Sequence, residues 1–368
     1  MRYKTTRWIA ALLALCAAQA ACATPADECR RDLDELPAFM LENDAGGKDL
    51  LERQGAAHMD AALATARASA AAVQADADCQ PVLATYLQAW RRTHLAIEAV
   101  GAPSMAQQVS GTTDDPRLPT LRVLSPRTVL LTLRSFNDKV RAALIALLRD
   151  RRRTLESHAD WIIDVRENDG GLDSSFDPLL PWLLPNGIVS VDVRVHVTPA
   201  NIAGWERACA QMAAGDDGCA GRIDPVVRSM KSARPGEDIT VYGDGVAYLP
   251  PTHVAHRPAR VAILTDVTCG SSCEQFLLYA RQGFDVKLVG RHTYGGLDYS
   301  NLRSHDLASG RWRLWYATTR SLRIPDQPVD GIGVLPDVYL PRADGAAAAA
   351  DEVERTRRWL EGGTLAPL

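Results

Sequence analysis

VAILTDVTCGSSCEQFLLYARQ, from Val261 to Gln282, is the stretch whose reading decides the fold. Val261 to Leu264 is an apolar run of strand length, a turn of small residues follows, and Phe276, Leu277 and Ala280 then fall on one helical face. Ser271 and Ser272 therefore stand where a strand hands over to a helix. The first N–H groups of a helix lack internal partners and carry the positive end of its dipole. A serine oxygen placed there can attack a carbonyl while neighbouring N–H groups receive the oxyanion. The same pattern also fits a plain N-cap, with Glu274 or Gln275 completing a capping arrangement.

Outward from this stretch, strand and helix alternate. Thr128–Leu133 reads as a strand, Phe136–Arg149 as an amphipathic helix, Trp161–Arg166 and Ile188–Val197 as strands, and Val286–Gly290 as the strand after the serine helix. Arg311–Thr318 and Arg323–Pro325 read as a final strand pair. Such alternation predicts an α/β fold with a mostly parallel sheet. Residues 24–100, rich in Ala, Leu and charged residues, predict an N-terminal helical subdomain of two or three helices. The last of these carries Leu83, Leu87 and Trp90 on one face and ends near His94. Residues 101–119 read as a linker, 120–343 as the core with an insertion over about 178–258, and 344–368 as a C-terminal helix. The insertion holds Trp182 and Trp205 and reads either as a substrate-shaping lid or as a structural annex.

Residues 1–23 carry a basic start (Arg2, Lys4, Arg7), an apolar run from Trp8 to Ala18 and small residues after it, the pattern of a secretory signal peptide. The run is short for a membrane span, and the alternative use of this end is a lipid anchor at Cys22. A secreted or periplasmic protein is expected. Without Cys16 and Cys22, six of the eight cysteines remain, a number that permits fifteen pairings. Proximity in sequence favours disulfide bonds Cys29–Cys79 and Cys209–Cys219, while Cys269 and Cys273 either bridge across the first helical turn or stay as small buried thiols. No partner set marks them as metal ligands, and no cofactor is expected. A net charge of −4 over 368 residues, with neither a basic patch nor an acidic tail, argues against nucleic acid as a partner.

Three further glycine-bearing stretches fall at strand ends, where open α/β sheets place their sites. IIDVRENDGGLDSS offers the N–H of Gly170 or Gly171 as an oxyanion donor, or an ordinary tight turn. GRHTYGGLDYS (Gly290–Ser300) and IPDQPVDGIGVLPDVYLP, with Asp330 and Asp337, are the other two.

Taken in order, IIDVRxNxGG, TCGSSCEQF, VGRHTYG and VDGIGVLPDVYL resemble the C-terminal processing (tail-specific) serine peptidases and their tricorn-like relatives, over roughly Leu121 to Leu340. The resemblance implies a crotonase-like core with the nucleophile three residues before the helix glutamate. Counting back from Glu274 selects Ser271, and leaves Ser272 to give its N–H to the oxyanion. Tail-specific members carry a lysine base where this chain has Gly296; of its five lysines, only Lys287 lies beyond Lys231. The tricorn-like branch uses a histidine ahead of the core and a late carboxylate, which selects His94 as general base and Asp330 as the group orienting it, with His292 as the alternative base. Fewer than 30 residues separate His94 from Leu121, too few for the PDZ-type module that grips C-terminal tails. The expectation is an exported serine-type endopeptidase acting on peptides or proteins. The competing expectation is a catalytically inactive crotonase-like protein that binds a peptide or small ligand.

Overall fold

The computed structural model describes residues 23–102, 115–210, 219–241, 243, 245–341 and 345–362. The signal stretch up to Cys22 and most of the expected linker lie outside the described residues. The chain opens with four helices rather than two or three: α1 (Pro25–Asn43), α2 (Gly47–Gln54), α3 (Ala56–Ala70) and α4 (Asp76–Trp90). Thr24 and Asp27 form a capping box at the start of α1, and a Cys29–Cys79 disulfide ties α1 to α4. Leu33, Leu36, Met40, Leu83, Leu87 and Trp90 form their shared core.

α4 stops at Trp90, short of the expected end near His94, and the chain turns into strand β1 (Ala96–Ala99). The elements that follow are β2 (Thr120–Val123), β3 (Thr128–Thr132), α5 (Asp138–Asp150), α6 (Arg152–Ser157), β4 (Asp160–Asp164) and α7 (Leu180–Leu183). The insertion contributes β5 (Ile188–Val191), β6 (Val193–His196), α8 (Pro199–Ala210), α9 (Asp224–Ser232), β7 (Asp238–Thr240) and β8 (Val246–Leu249). The chain closes with β9 (Arg260–Thr265), α10 (Ser272–Ala280), β10 (Val286–Gly290), β11 (Tyr299–Asp306), β12 (Trp312–Ser321), β13 (Val338–Tyr339) and α11 (Ala346–Leu360).

A six-stranded sheet in the order β13-β10-β9-β4-β3-β2 is parallel except where β2 meets β3. Its strands are apolar on both faces, as a parallel sheet covered on two sides requires. Trp161, Ile163, Val261 and Ile263 face Phe276 and Leu277 of α10, whereas Ile162, Ala262 and Leu264 face Val353 and Leu360 of α11. A buried ion network docks α11: Arg166 pairs with Asp164 and with Glu352 at 2.7 Å each, and Arg291 reaches Glu352 at 2.5 Å.

The expectation of one mostly parallel sheet needs correction, because a second sheet is antiparallel throughout. β12 pairs with β11 along one edge and with β1 and β6 along the other, and β6 pairs with β7. This sheet packs Leu314 and Tyr316 against the helical core. β1 is strand because β12, more than 200 residues later, supplies its partner. Ile188–Val197 is likewise two strands rather than one: β5 pairs only with β8 in a separate ribbon, and β6 joins the second sheet. Arg323–Pro325 is turn, and the final strand pair is instead β11 with β12.

Candidate active site

Ser271 immediately precedes α10, with φ 54° and ψ −123°. An N-cap residue normally lies in the β region, so this conformation is not what capping needs. It costs a residue with a β-carbon on the order of 1–3 kcal/mol and persists only where surroundings enforce it. Ser271 and Glu274 are disposed as a capping box, but only the bond from the Ser271 N–H to Glu274 Oε2, at 3.2 Å, has hydrogen-bond geometry; the Oγ makes no cap bond. A Cys269–Cys273 disulfide brackets the turn, which resolves the open question about these cysteines. A serine held on a sharp strand-to-helix turn with its hydroxyl released is the arrangement of a nucleophile elbow.

The glycine loop after β4 lies against this turn. A β-carbon on Gly170 would stand 2.6 Å from Gly270 O and 2.9 Å from Ser271 Cβ, and one on Gly171 only 2.3 Å from Phe136 O. Positive φ values of 99° and 139° add to the demand for glycine at both places. Gly170 departs from its expected role, because its N–H donates to Asn168 Oδ1 at 2.9 Å and is spent inside the loop. Gly171 N–H and Ser272 N–H have no partner among the bonds of the described residues, and the Ser272 hydroxyl donates to Gly171 O at 2.9 Å, locking the two peptides together.

Glu274, fully buried, is the hub of the site. Besides Ser271 N–H its carboxylate accepts from Thr293 Oγ1 (2.5 Å), Gly295 N–H (2.7 Å) and Gly296 N–H (2.9 Å). Burial pushes its pKa up, and these four donors pull against that rise. The residue at the position of the family lysine thus serves through its backbone. Tyr294 runs from this turn to the helical region: its Cβ would lie 3.3 Å from a β-carbon on Gly270, and its hydroxyl donates to Arg92 O at 3.4 Å.

His94 follows a buried clamp. Arg91 makes a bidentate pair with Asp44 at 2.9 Å and also donates to Thr93 O (2.7 Å) and His94 O (3.3 Å). His94 has φ 54°, and its ring Nδ1 bonds the carbonyl of Tyr299. A carbonyl only accepts, so the proton sits on Nδ1 and the lone pair on Nε2. Burial lowers the imidazole pKa, the Tyr299 bond and the charge of Asp330 raise it, and the net direction is down, leaving a neutral ring at pH 7.

Asp330 departs from its expected role. Its oxygens accept from Leu297 N–H (2.6 Å), Asp298 N–H (2.7 Å) and Thr93 Oγ1 (3.1 Å), so the Tyr299 carbonyl, and not Asp330, fixes the His94 tautomer. Asp298 reciprocates by accepting from Val329 N–H and Asp330 N–H at 2.7 and 2.8 Å. His292, the alternative base, is exposed and bonds the carbonyl of Thr293 beside it. Ser271, Ser272, Gly170 and Gly171 are therefore gathered at one point, Asp330 is joined to the His94 segment through Thr93, and His292 stands apart in solvent.

The peptidase family S41 model matches residues 127–340, more than half of the chain. The chain belongs to peptidase family S41. This S41 chain is accordingly a serine peptidase, with peptides or proteins as substrates. Among solved structures it resembles mature CPAF (TM-score 0.63, 12% identity, covering 93% of this chain and 99% of that one). It also resembles mature CPAF complexed with lactacystin (0.58, 11%, 92% and 97%) and a lipoprotein from Streptococcus agalactiae (0.53, 14%, 90% and 96%). At these identities the likeness is one of fold. No curated protein matches the chain in sequence.

Arg91, Asp44, Asp298 and Tyr299 are parts of this candidate site that sequence reasoning missed; the DY pair inside GRHTYGGLDYS was the one available signal. Two surface cavities lie away from the serine, one of about 530 Å³ beside Cys209 and Cys219, the other of about 460 Å³ between α3 and α4. Cys209, Cys219 and Asp224 are close enough to suggest a metal site, but the two sulfurs are bonded to each other. No helix among the described residues is long and apolar enough to cross a membrane.

Proposed function

We propose that this S41 peptidase is an exported endopeptidase with a crotonase-like core, using Ser271 as nucleophile and His94 as general base. Ser271 Oγ attacks the scissile carbonyl carbon and gives its proton to His94 Nε2, while Nδ1–H stays on the Tyr299 carbonyl. The oxyanion is received by Gly171 N–H and Ser272 N–H at the positive end of α10. His94 then protonates the leaving amine, and a water that gives its proton to His94 hydrolyses the acyl-enzyme, restoring the Ser271 hydroxyl and releasing the carboxylic acid. The observation carrying this reading is the backbone of Ser271 at φ 54° beside two unbonded N–H groups. A fluorophosphonate probe should label the wild type and not Ser271→Ala; equal labelling removes Ser271 from the mechanism.

Export is supported by the composition of residues 1–23 and by three disulfides, which suit an oxidising compartment. A secreted or periplasmic location follows, with a lipid anchor at Cys22 as the variant form. The division into helical subdomain, core and C-terminal helix belongs to the same proposal.

One observation favours the inactive binding reading: among the described residues no hydrogen bond joins Ser271 Oγ to His94. Catalytic bonds often tighten only with substrate bound, so probe labelling decides between the two.

A further inference from the structure

Most carboxylates around Ser271 are engaged by the protein's own donors, Glu274, Asp298 and Asp330 all accepting backbone N–H groups. Asp173 is different. It opens a short 3-10 turn (Asp173–Ser175) two residues beyond Gly171, its side chain is exposed, and among the described residues no cation comes within ion-pair distance. The side chain of Ser272, whose N–H faces the oxyanion in the reading above, interacts with it and favours its ionised form. Surrounding protein nevertheless pushes its pKa up to about 6; Asp177 adds to the rise, while Ser272, Arg323 and Arg222 oppose it. Its side chain thus meets solvent two residues beyond Gly171 and next to Ser272, on the edge of the oxyanion site of the reading above.

An ionised carboxylate beside an oxyanion site opposes the charge that develops there, unless a cation neutralises it. The wall around it does not deliver one: Arg323 is buried, donates Nη1 to Gln275 Oε1 at 3.2 Å, and among the described residues has no carboxylate within ion-pair distance. Arg222 approaches Asp177 instead, at 3.9 Å. The substrate is the remaining source. Because Gly171 and Ser272 would hold the scissile carbonyl oxygen, the closest substrate side chain is that of the residue supplying that carbonyl.

We propose that Asp173 is a specificity-determining residue of this peptidase, selecting a lysine or arginine on the substrate residue that supplies the scissile carbonyl. The inference rests on the Ser271 reading above. A charge-assisted contact of this kind is worth roughly tenfold in selectivity.

The test uses matched peptides carrying Lys, Arg, Gln or Glu at that one position. Cleavage by the full chain should favour Lys and Arg over Gln by about tenfold or more, increasingly as pH rises through about 6. Asp173→Asn should bring the Lys-to-Gln ratio in kcat/KM to about one, and Asp173→Lys should invert the preference toward Glu. Asp169→Asn, which removes the same charge from another exposed position of that loop, should retain it. No basic preference in the wild type, or one unchanged in Asp173→Asn, overturns the proposal. A second arm measures the affinity of the same peptides for Ser271→Ala by fluorescence anisotropy. If the wild type cleaves nothing, the peptidase mechanism fails, yet the Lys-to-Gln binding ratio still judges Asp173, and a ratio near one rejects it.

Discussion

Replacing Glu274 by alanine should collapse the site while leaving the fold intact. The carboxylate is fully buried and holds four donors: the N–H groups of Ser271, Gly295 and Gly296, and the Thr293 hydroxyl. Each donor left unsatisfied costs about 1–3 kcal/mol. A water entering the vacated space recovers part of that, and relief of the buried charge recovers more, so the net loss is about 4–6 kcal/mol. With an unfolding entropy of roughly 2.1 cal/mol/K per residue, this lowers Tm by about 5–8 °C. Glu274→Gln keeps the shape but turns an amide NH₂ toward some of these donors, and should cost about half as much. Circular dichroism melts give the stability, and the rate of fluorophosphonate labelling gives the site. Labelling of Glu274→Ala should slow by about a hundredfold or more, since the Ser271 turn and the 293–296 loop lose their common anchor. An alanine variant that melts within about 1 °C of wild type and labels at the same rate would refute the reasoning.

Activity should fall on the acid side as His94 gains a proton; because burial lowers its pKa, the midpoint of that limb in kcat/KM should lie below 6.5, and His94→Ala should remove both limb and activity. Asp330→Asn should reduce kcat by about 10–100-fold rather than the roughly 10⁴-fold expected of a tautomer-fixing carboxylate, and should move the acid limb to lower pH, since the Asp330 charge raises the His94 pKa. A 10⁴-fold loss with an unmoved limb would restore Asp330 to the triad. Gly171→Ala should abolish labelling, because its β-carbon would stand 2.3 Å from Phe136 O and force the oxyanion loop away; labelling at wild-type rate would show that this loop takes no part.

What the sequence determined by itself is what depends on local order. Apolar period, small-residue turns and glycine pairs placed β4, β9, α10 and β10 and marked the Ser271–Ser272 turn and its glycine loop, because a strand-to-helix turn and a close backbone approach each leave a mark within a dozen residues; the choice of Ser271 over Ser272 came from the family resemblance. Tertiary structure alone decided the rest. β1 is a strand only because β12 pairs with it, and apart from the β11–β12 hairpin the antiparallel sheet is assembled from segments 42 to more than 200 residues apart. The role expected of Asp330 went to a main-chain carbonyl, and Gly170 N–H went to Asn168. Every residue carries the same peptide group, so a backbone donor or acceptor leaves no trace in residue identity, and only the folded path of the chain shows which of them the site uses.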